Sequence, residues 1–194
     1  MLGLEGAFAK VARRALAERA RLAAEGVPLV SLDAATGLLH DGEYKEYAEY
    51  SMSQPLAPVV SIDRFLADEV TAGRIPTRPR GAGPAFDILL HCTEKTAQPE
   101  TAARWGRVMT HLGLDARFPK VGCCGMAGLF GHQAEQVELS RRIFDIGWRG
   151  RIGPDPAATL ATGFSCRCQT ERFAGHRPRH PVEAILAHLQ GVAG

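Results

Sequence analysis

The sequence lacks the features that point to a membrane or to a nucleic acid. None of its apolar runs approaches the roughly 18 residues that a transmembrane helix needs, so we expect no integral membrane protein. An excess of one charge is also missing: 23 lysines and arginines face 21 aspartates and glutamates, which leaves a net charge of +2 over 194 residues. Such a chain offers little attraction to a polyanion, and we expect no nucleic-acid partner.

Targeting signals are missing from the sequence as well. The first predicted helix is rich in arginine, but it carries Glu5, Glu18 and Glu25, whereas transit peptides are poor in acidic residues. A signal peptide is not present either. We therefore expect a cytoplasmic location with a reducing environment, either free or peripheral at the inner face of the membrane.

Cysteine is missing from the beginning of the chain and concentrated later. Five cysteines are not an excess for this length, but none of them precedes position 92. In a reducing compartment, such clustering indicates metal or redox chemistry more than disulfide bonds. The residues concerned are Cys92, Cys123, Cys124, Cys166 and Cys168.

Short apolar segments alternate with amphipathic segments along the chain. This alternation is typical of a mostly parallel sheet flanked by helices, so we predict an α/β fold. A proline- and glycine-rich linker is predicted over 74–85. The predicted strands cover 27–33, 86–91, 114–119 and 158–164, and the predicted helices cover 4–25, 61–70, 99–112, 132–148 and 180–189.

The two ends of the chain share an order of motifs. GLEGAF (3–8) aligns with GMAGLF (125–130), VPLVSLDAATG (27–37) with ATLATGFSCRC (158–168), and APVVSIDRFL (57–66) with HPVEAILAHL (180–189). Few residues are identical between the aligned motifs. The alternative explanation is therefore that all α/β units resemble one another, without a true repeat.

A true repeat predicts one complete half and one incomplete half. The complete half would cover 86–194 and carry the cysteines, and the incomplete half would cover 1–73. The missing strand, helix and strand of the first half would precede Met1, and Met1 and Leu2 would align with Cys123 and Cys124. The chain is then expected to be a fragment, or one piece, of a longer protein.

Every cysteine position directly follows a predicted strand. Loops at the carboxyl ends of parallel strands gather at one edge of a sheet, which is where such folds place their sites. We therefore expect the thiols to lie close together and to bind a metal centre. The positions are Cys92, the Cys123–Cys124 pair, and Cys166 with Cys168.

The loop GCCGMAGLFGH (122–132) is rich in glycine. Gly122, Gly125 and Gly128 would let the backbone approach a bound group closely, so they are candidate cofactor-binding residues. The N-terminus of the helix that follows would stabilise thiolates or anionic sulfides. Vicinal cysteine side chains diverge, which suits a polynuclear iron–sulfur cluster in which two irons each take one thiolate.

A mononuclear zinc site is the alternative interpretation of the same cysteines. It would serve a structural zinc domain that mediates subunit contact and performs no chemistry. Thiol–disulfide exchange is a third hypothesis, but the Cys-x-x-Cys motif at a helix start is missing. The zinc ligands would be Cys92, one cysteine of the pair, Cys166, and either Cys168 or His132.

This constellation resembles the cysteine-rich CCG domain of heterodisulfide reductase and of the iron–sulfur parts of glycolate and lactate oxidases. That family's pattern is a cysteine, a long gap, Cys-Cys-Gly, a second long gap and Cys-x-x-Cys; Cys92, Cys123-Cys124-Gly125 and Cys166 match it. The segments LDAATGLLHDGEY, GCCGMAGLFGH, ATGFSCRCQ and HPVEAI look like the C-terminal end of bacterial FAD-linked oxidases of D-2-hydroxy acids, such as D-lactate or D-2-hydroxyglutarate.

The resemblance implies an electron-transfer module. A 4Fe–4S-type cluster at Cys92, Cys123, Cys124 and Cys166 would accept electrons from a flavin-binding domain or subunit and pass them to an acceptor protein or a quinone. Cys168 departs from the family pattern by one residue and is either a ligand or a spare thiol. The family's flavin domain and ferredoxin-like motifs are missing from this sequence, so we expect this chain alone to bind neither FAD nor the acid.

Overall fold

The computed structural model describes residues 5–47, 56, 58–79 and 83–191. The chain divides into two compact units, Met1–Phe65 and Leu66–Gly194. Met1 and Leu2, which the repeat aligns with the vicinal cysteines, lie outside the described residues, as do positions 80–82 of the predicted linker. None of the described helices is long and apolar enough to cross a membrane.

The first unit contains a small parallel sheet with helices around it. Strands β1 and β2 pair in parallel, with Val30 opposite Val60. Ala12 and Leu16, on the apolar face of the first helix, pack against Tyr44 and Leu56. The elements are α1 (Glu5–Ala24), β1 (Leu29–Ser31), α2 (Ala34–Asp41), α3 (Glu43–Tyr47), β2 (Val59–Ser61) and α4 (Ile62–Thr71), which continues into the second unit.

The second unit contains a three-stranded parallel sheet in the order β4–β3–β5. Ile88 of β3 lies opposite Leu160 of β5, and both side chains are fully buried. The strands are β3 (Ala85–Leu89), β4 (Asp115–Arg117) and β5 (Thr159–Ala161). The helices are α5 (Cys92–Ala97), α6 (Thr101–His111), α7 (Val137–Gly147), α8 (Phe164–Ala174) and α9 (Pro181–Leu189).

The α/β fold with parallel strands flanked by helices is confirmed, and some local elements differ from the prediction. Strand β2 was not predicted: its β-branched residues Val59 and Val60, directly before the helix expected over 61–70, pair with β1. Helix α5 was not predicted. The helix expected from 132 begins at Val137, because two short 3₁₀ turns separated by the extended backbone of Gln133 precede it.

Arg19 is a buried cation in the first unit. Its guanidinium donates to the carbonyl oxygen of His40 and to Oδ1 of Asp41, each at 2.8 Å, and its side chain is 2% exposed. A buried charge needs such partners, because an unpaired one costs several kcal/mol. The pair ties α1 to the end of α2.

The pH dependence of stability in the first unit is expected to involve His40. Burial, together with the charge of Arg19, lowers the pKa of His40 below its ordinary value of 6.5, against the raising effect of Asp41. The unfolded chain therefore binds this proton more readily, and the free energy of unfolding falls as the pH drops below 6.5. Between about pH 7.5 and about pH 5.5, His40→Gln should lose less stability than the unaltered chain in urea titrations. Equal losses would contradict this assignment.

Candidate metal centre at the sheet edge

Four cysteines of the second unit interact across three segments, each of which follows a strand. Cys92 is the first residue of α5, Cys166 lies in the first turn of α8, and Cys123 and Cys124 lie in the loop between β4 and α7. The thiols of Cys124 and Cys166 lie within interaction distance, as do those of Cys123 and Cys92, because each affects the pKa of its neighbour. The structure thus brings these four thiols together beyond the carboxyl ends of the strands.

The two buried thiols Cys124 and Cys166 have pKa values that are shifted in opposite directions. The hydrogen bond from Cys166 lowers the pKa of Cys124 to about 7, against its burial; backbone amides, including that of Met126, assist. The same hydrogen bond, together with burial and the charges of Cys124 and Cys92, raises the pKa of Cys166 well above its usual range. The geometry therefore favours one thiolate over two in this pair.

The thiol of Cys123 is also held in its neutral form. Burial raises its pKa, the backbone amide of Gly125 opposes this at 3.3 Å from Sγ, and the charges of Cys124 and Cys92 raise it further. Thiolates at this edge repel one another, and a cationic metal centre would relieve that repulsion. Iron–sulfur clusters are bound by thiolate sulfurs, so the chemistry of these four sulfur donors fits such a cluster.

Cys168 has a different environment from the other four cysteines. It follows Cys166 by two positions on α8, a rotation of about 200° around the helix axis. Its side chain is half-buried and packs against the core cluster that includes Phe144 and Trp148. Its role as a ligand stays a prediction.

The loop with the two vicinal cysteines is anchored by side chains from α5, α7 and the residue after α7, and Gln169 of α8 holds one of them in place. Ser140 donates to the carbonyl oxygen of Gly125 at 2.8 Å and accepts from Gln169 at 2.5 Å. The indole N–H of Trp148 donates to the carbonyl of Gly122 at 3.1 Å, and Lys95 donates to that of Val121. Sequence reasoning missed the anchoring residues because nothing in their spacing marks them. They are Lys95, Ser140, Trp148 and Gln169.

Glycines allow this loop to lie directly on α7. Gly125 has φ +86°, and a Cβ atom there would lie 2.3 Å from the carbonyl oxygen of Ser140. A Cβ on Gly147 would lie 2.8 Å from the carbonyl oxygen of Cys123. The missing side chain of Gly125 thus allows the loop to approach α7. The predicted approach of Gly122, Gly125 and Gly128 to a bound group stays a prediction.

A buried carboxylate joins the loops that carry Cys92 and Cys166. Glu94 is 4% exposed and accepts from the hydroxyl of Thr162 at 2.5 Å and from that of Thr101 at 2.9 Å. It also accepts from the backbone N–H of His91 at 3.3 Å. The pattern His91-x-x-Glu94 matches the second half of a capping box, which is the signal that could have identified Glu94.

The two histidines near the predicted site differ in burial. His91 is 8% exposed, and a Cβ on Gly163 would lie 2.4 Å from its ring and 3.1 Å from Sγ of Cys166. Gly163 therefore leaves the space that His91 and Cys166 share. His132, the alternative zinc ligand, is exposed at the end of a 3₁₀ turn.

A mononuclear metal site is not formed by the part of the chain that the structure describes. No three histidine, cysteine, aspartate or glutamate side chains there are arranged to hold a single ion. An iron–sulfur cluster contains several irons, and its protein ligands are shared among them. Its fit is therefore judged from the presence of four sulfur donors and not from a site for a single ion.

The chain is similar to curated bacterial dehydrogenases over most of its length. It is 37% identical over 188 residues to the D-2-hydroxyglutarate dehydrogenase of Pseudomonas putida, a match that covers 97% of this chain and 18% of the relative. Proteins of the same name from Haemophilus influenzae and Escherichia coli are 32% and 34% identical, over 94% and 95% of this chain and 18% of each relative. The chain thus spans about a fifth of the length of these relatives. No protein-family model matches it, and no solved structure does.

Proposed function

We propose that this chain is the iron–sulfur, electron-transfer part of a FAD-linked dehydrogenase of a D-2-hydroxy acid. The observation that carries the proposal is the gathering of four thiols, from the start of α5, the loop before α7 and the first turn of α8, beyond the carboxyl ends of one parallel sheet. Similarity to dehydrogenases named for D-2-hydroxyglutarate supports the substrate class. The ligands proposed are Cys92, Cys123, Cys124 and Cys166.

The chain's own residues would position the ligands and control their surroundings. Cys124 and Cys166 are 2% and 1% exposed, which keeps water from the sulfurs, and the amides of Gly125 and Met126 direct their N–H groups to the vicinal cysteines. Such hydrogen bonds and burial tune the reduction potential of a cluster, which supplies one-electron chemistry when bound. The flavin would come from another domain or subunit, and an acceptor protein or a quinone would receive the electrons.

Metal analysis of protein purified without oxygen tests the proposal. We expect about four iron and about four acid-labile sulfide per chain, with a broad absorbance near ~400 nm. Cys123→Ser should lose most of the iron and the absorbance. Cys168→Ser is the matched control and should keep both, because two helical positions rotate Cys168 about 200° away from Cys166 on α8.

Other metal contents contradict the proposal. One colourless zinc per chain, with a melting temperature that falls on chelation, would favour the structural zinc domain. If the isolated chain contains no metal, the same analysis is made on a chimera in which this chain replaces the matched stretch of the Pseudomonas putida relative. A metal-free chimera would overturn the iron–sulfur role.

A further inference from the structure

The first unit repeats the order of elements that surrounds β5 in the second unit. Strand β5 leads into α8, and Leu160 forms a parallel bridge with Arg179 shortly before α9 begins. Likewise, β1 leads into α2 and pairs in parallel with β2 directly before α4. The N-cap residues, Asp33 of α2 and Gly163 of α8, set the correspondence between the units, which differs by one position from the sequence alignment of 27–37 with 158–168.

The two equivalent strands differ in their pairing. Strand β5 bonds on both edges: Ala161 N–H donates to the carbonyl of Arg179 at 3.0 Å, and Thr162 N–H donates to that of Leu89, on β3, at 3.3 Å. Among the described residues of the first unit, β1 pairs with β2 and with no second strand. Leu32 corresponds to Thr162, yet it is 61% exposed whereas Thr162 is 5% exposed.

A cavity of about 320 Å³ lies beside β1. Its walls come from α1, β1, α2 and β2, and most of their surface is apolar. The apolar lining residues are Ala15, Leu22, Leu29, Val30 and Val59, and the polar ones are Glu18, Arg19, Ser31, Thr36 and His40. Leu29 and Val30 are only half-buried, whereas all three residues of β5 are buried.

The second unit shows what packs against the strand and helix that correspond to β1 and α2. There, the core between α7, β5 and α8 includes Leu89 from β3 and Val121, Cys124 and Met126 from the loop that precedes α7. In the second unit, an apolar strand and a glycine-containing loop therefore supply side chains to the core around β5 and α8.

We propose that the edge of β1 that has no partner strand among the described residues, together with the cavity beside β1, receives a parallel strand and a loop from the remainder of a longer polypeptide. The occupant resembles β3, an apolar strand of five residues, and its last carbonyl accepts a hydrogen bond from the Leu32 N–H. The relatives contain the necessary chain, because this sequence spans 18% of their length. Edge strands readily add a strand in this way. The inference does not depend on the iron–sulfur role.

Amide hydrogen exchange tests this proposal. The probe is the chimera in which this chain replaces the matched stretch of the Pseudomonas putida relative, compared with the isolated 194-residue chain. The amides of Leu29 to Leu32 should exchange about tenfold more slowly, or slower still, in the chimera, while that of Thr162 stays protected in both. Unchanged exchange at Leu32 in a chimera with a protected Thr162 would overturn the proposal.

Two variants and a concentration series distinguish an added strand from a second copy of the chain. Leu32→Glu should reverse most of the added protection in the chimera and leave the stability of the isolated chain nearly unchanged. Ile146→Glu, at a position 90% exposed on α7, is the matched control and should change neither. If protection of Leu32 instead rises with the concentration of the isolated chain, the occupant is a second copy, and the proposal is wrong.

Discussion

Replacement of Gly125 with alanine is expected to destabilise the second unit by about 3 kcal/mol or more. The backbone at Gly125 has φ +86°, which alanine adopts with strain, and the new Cβ would lie 2.3 Å from the carbonyl oxygen of Ser140. Because that oxygen belongs to the backbone of α7, relief of the overlap requires the loop and the helix to separate. Urea unfolding under reducing conditions, followed by the fluorescence of the buried Trp105 and Trp148, measures the loss.

Gly128→Ala is the matched control for this prediction. Gly128 also has a positive φ, +64°, but a Cβ there would meet no atom within 4 Å. Backbone strain alone remains, and the expected cost is about 1 kcal/mol. Equal losses in the two variants would show that the loop does not pack on α7 as the structure has it.

Glu94→Leu is expected to cost about 3 kcal/mol of stability and to release the turns that carry Cys92 and Cys166. The substitution leaves the buried hydroxyls of Thr101 and Thr162 without this acceptor, whereas the N–H of His91 keeps its 2.9 Å hydrogen bond to Thr162 Oγ1. Each buried donor that loses its partner costs about 1–3 kcal/mol. Urea unfolding measures the stability, and alkylation of Cys166, which is 1% exposed, should become faster in the folded variant.

Two further variants make the Glu94 prediction specific. Glu94→Gln keeps one acceptor oxygen and should cost less than Glu94→Leu. Glu100→Leu removes a side chain that is 75% exposed and pairs with Arg104, and exposed ion pairs contribute about 1 kcal/mol or less. A Glu94→Leu variant as stable as Glu100→Leu would contradict the role of the carboxylate in joining β3 and β5.

The predictions from sequence were most accurate where one local pattern controls the structure. The apolar run of β3 and the periodic helix α6 lie close to their predicted positions, because burial and helical spacing are visible within each segment. Strand β2 was missed because its three residues form a strand only by pairing with β1. The start of α7 was misplaced because the extended backbone of Gln133 depends on how the glycine loop folds back on the helix.

The sequence by itself determined the α/β class and the placement of every cysteine after a strand, since strand alternation and connection rules act along the chain. Only the tertiary structure decided which thiols interact: Cys124 meets Cys166, whereas Cys168 is rotated about 200° away from Cys166 on α8. It also decided that Glu94, Ser140 and Gln169 hold the cysteine loops. Hydrogen bonds between residues far apart in the chain leave no periodic signal, because their partners become neighbours only when the sheet and its helices pack.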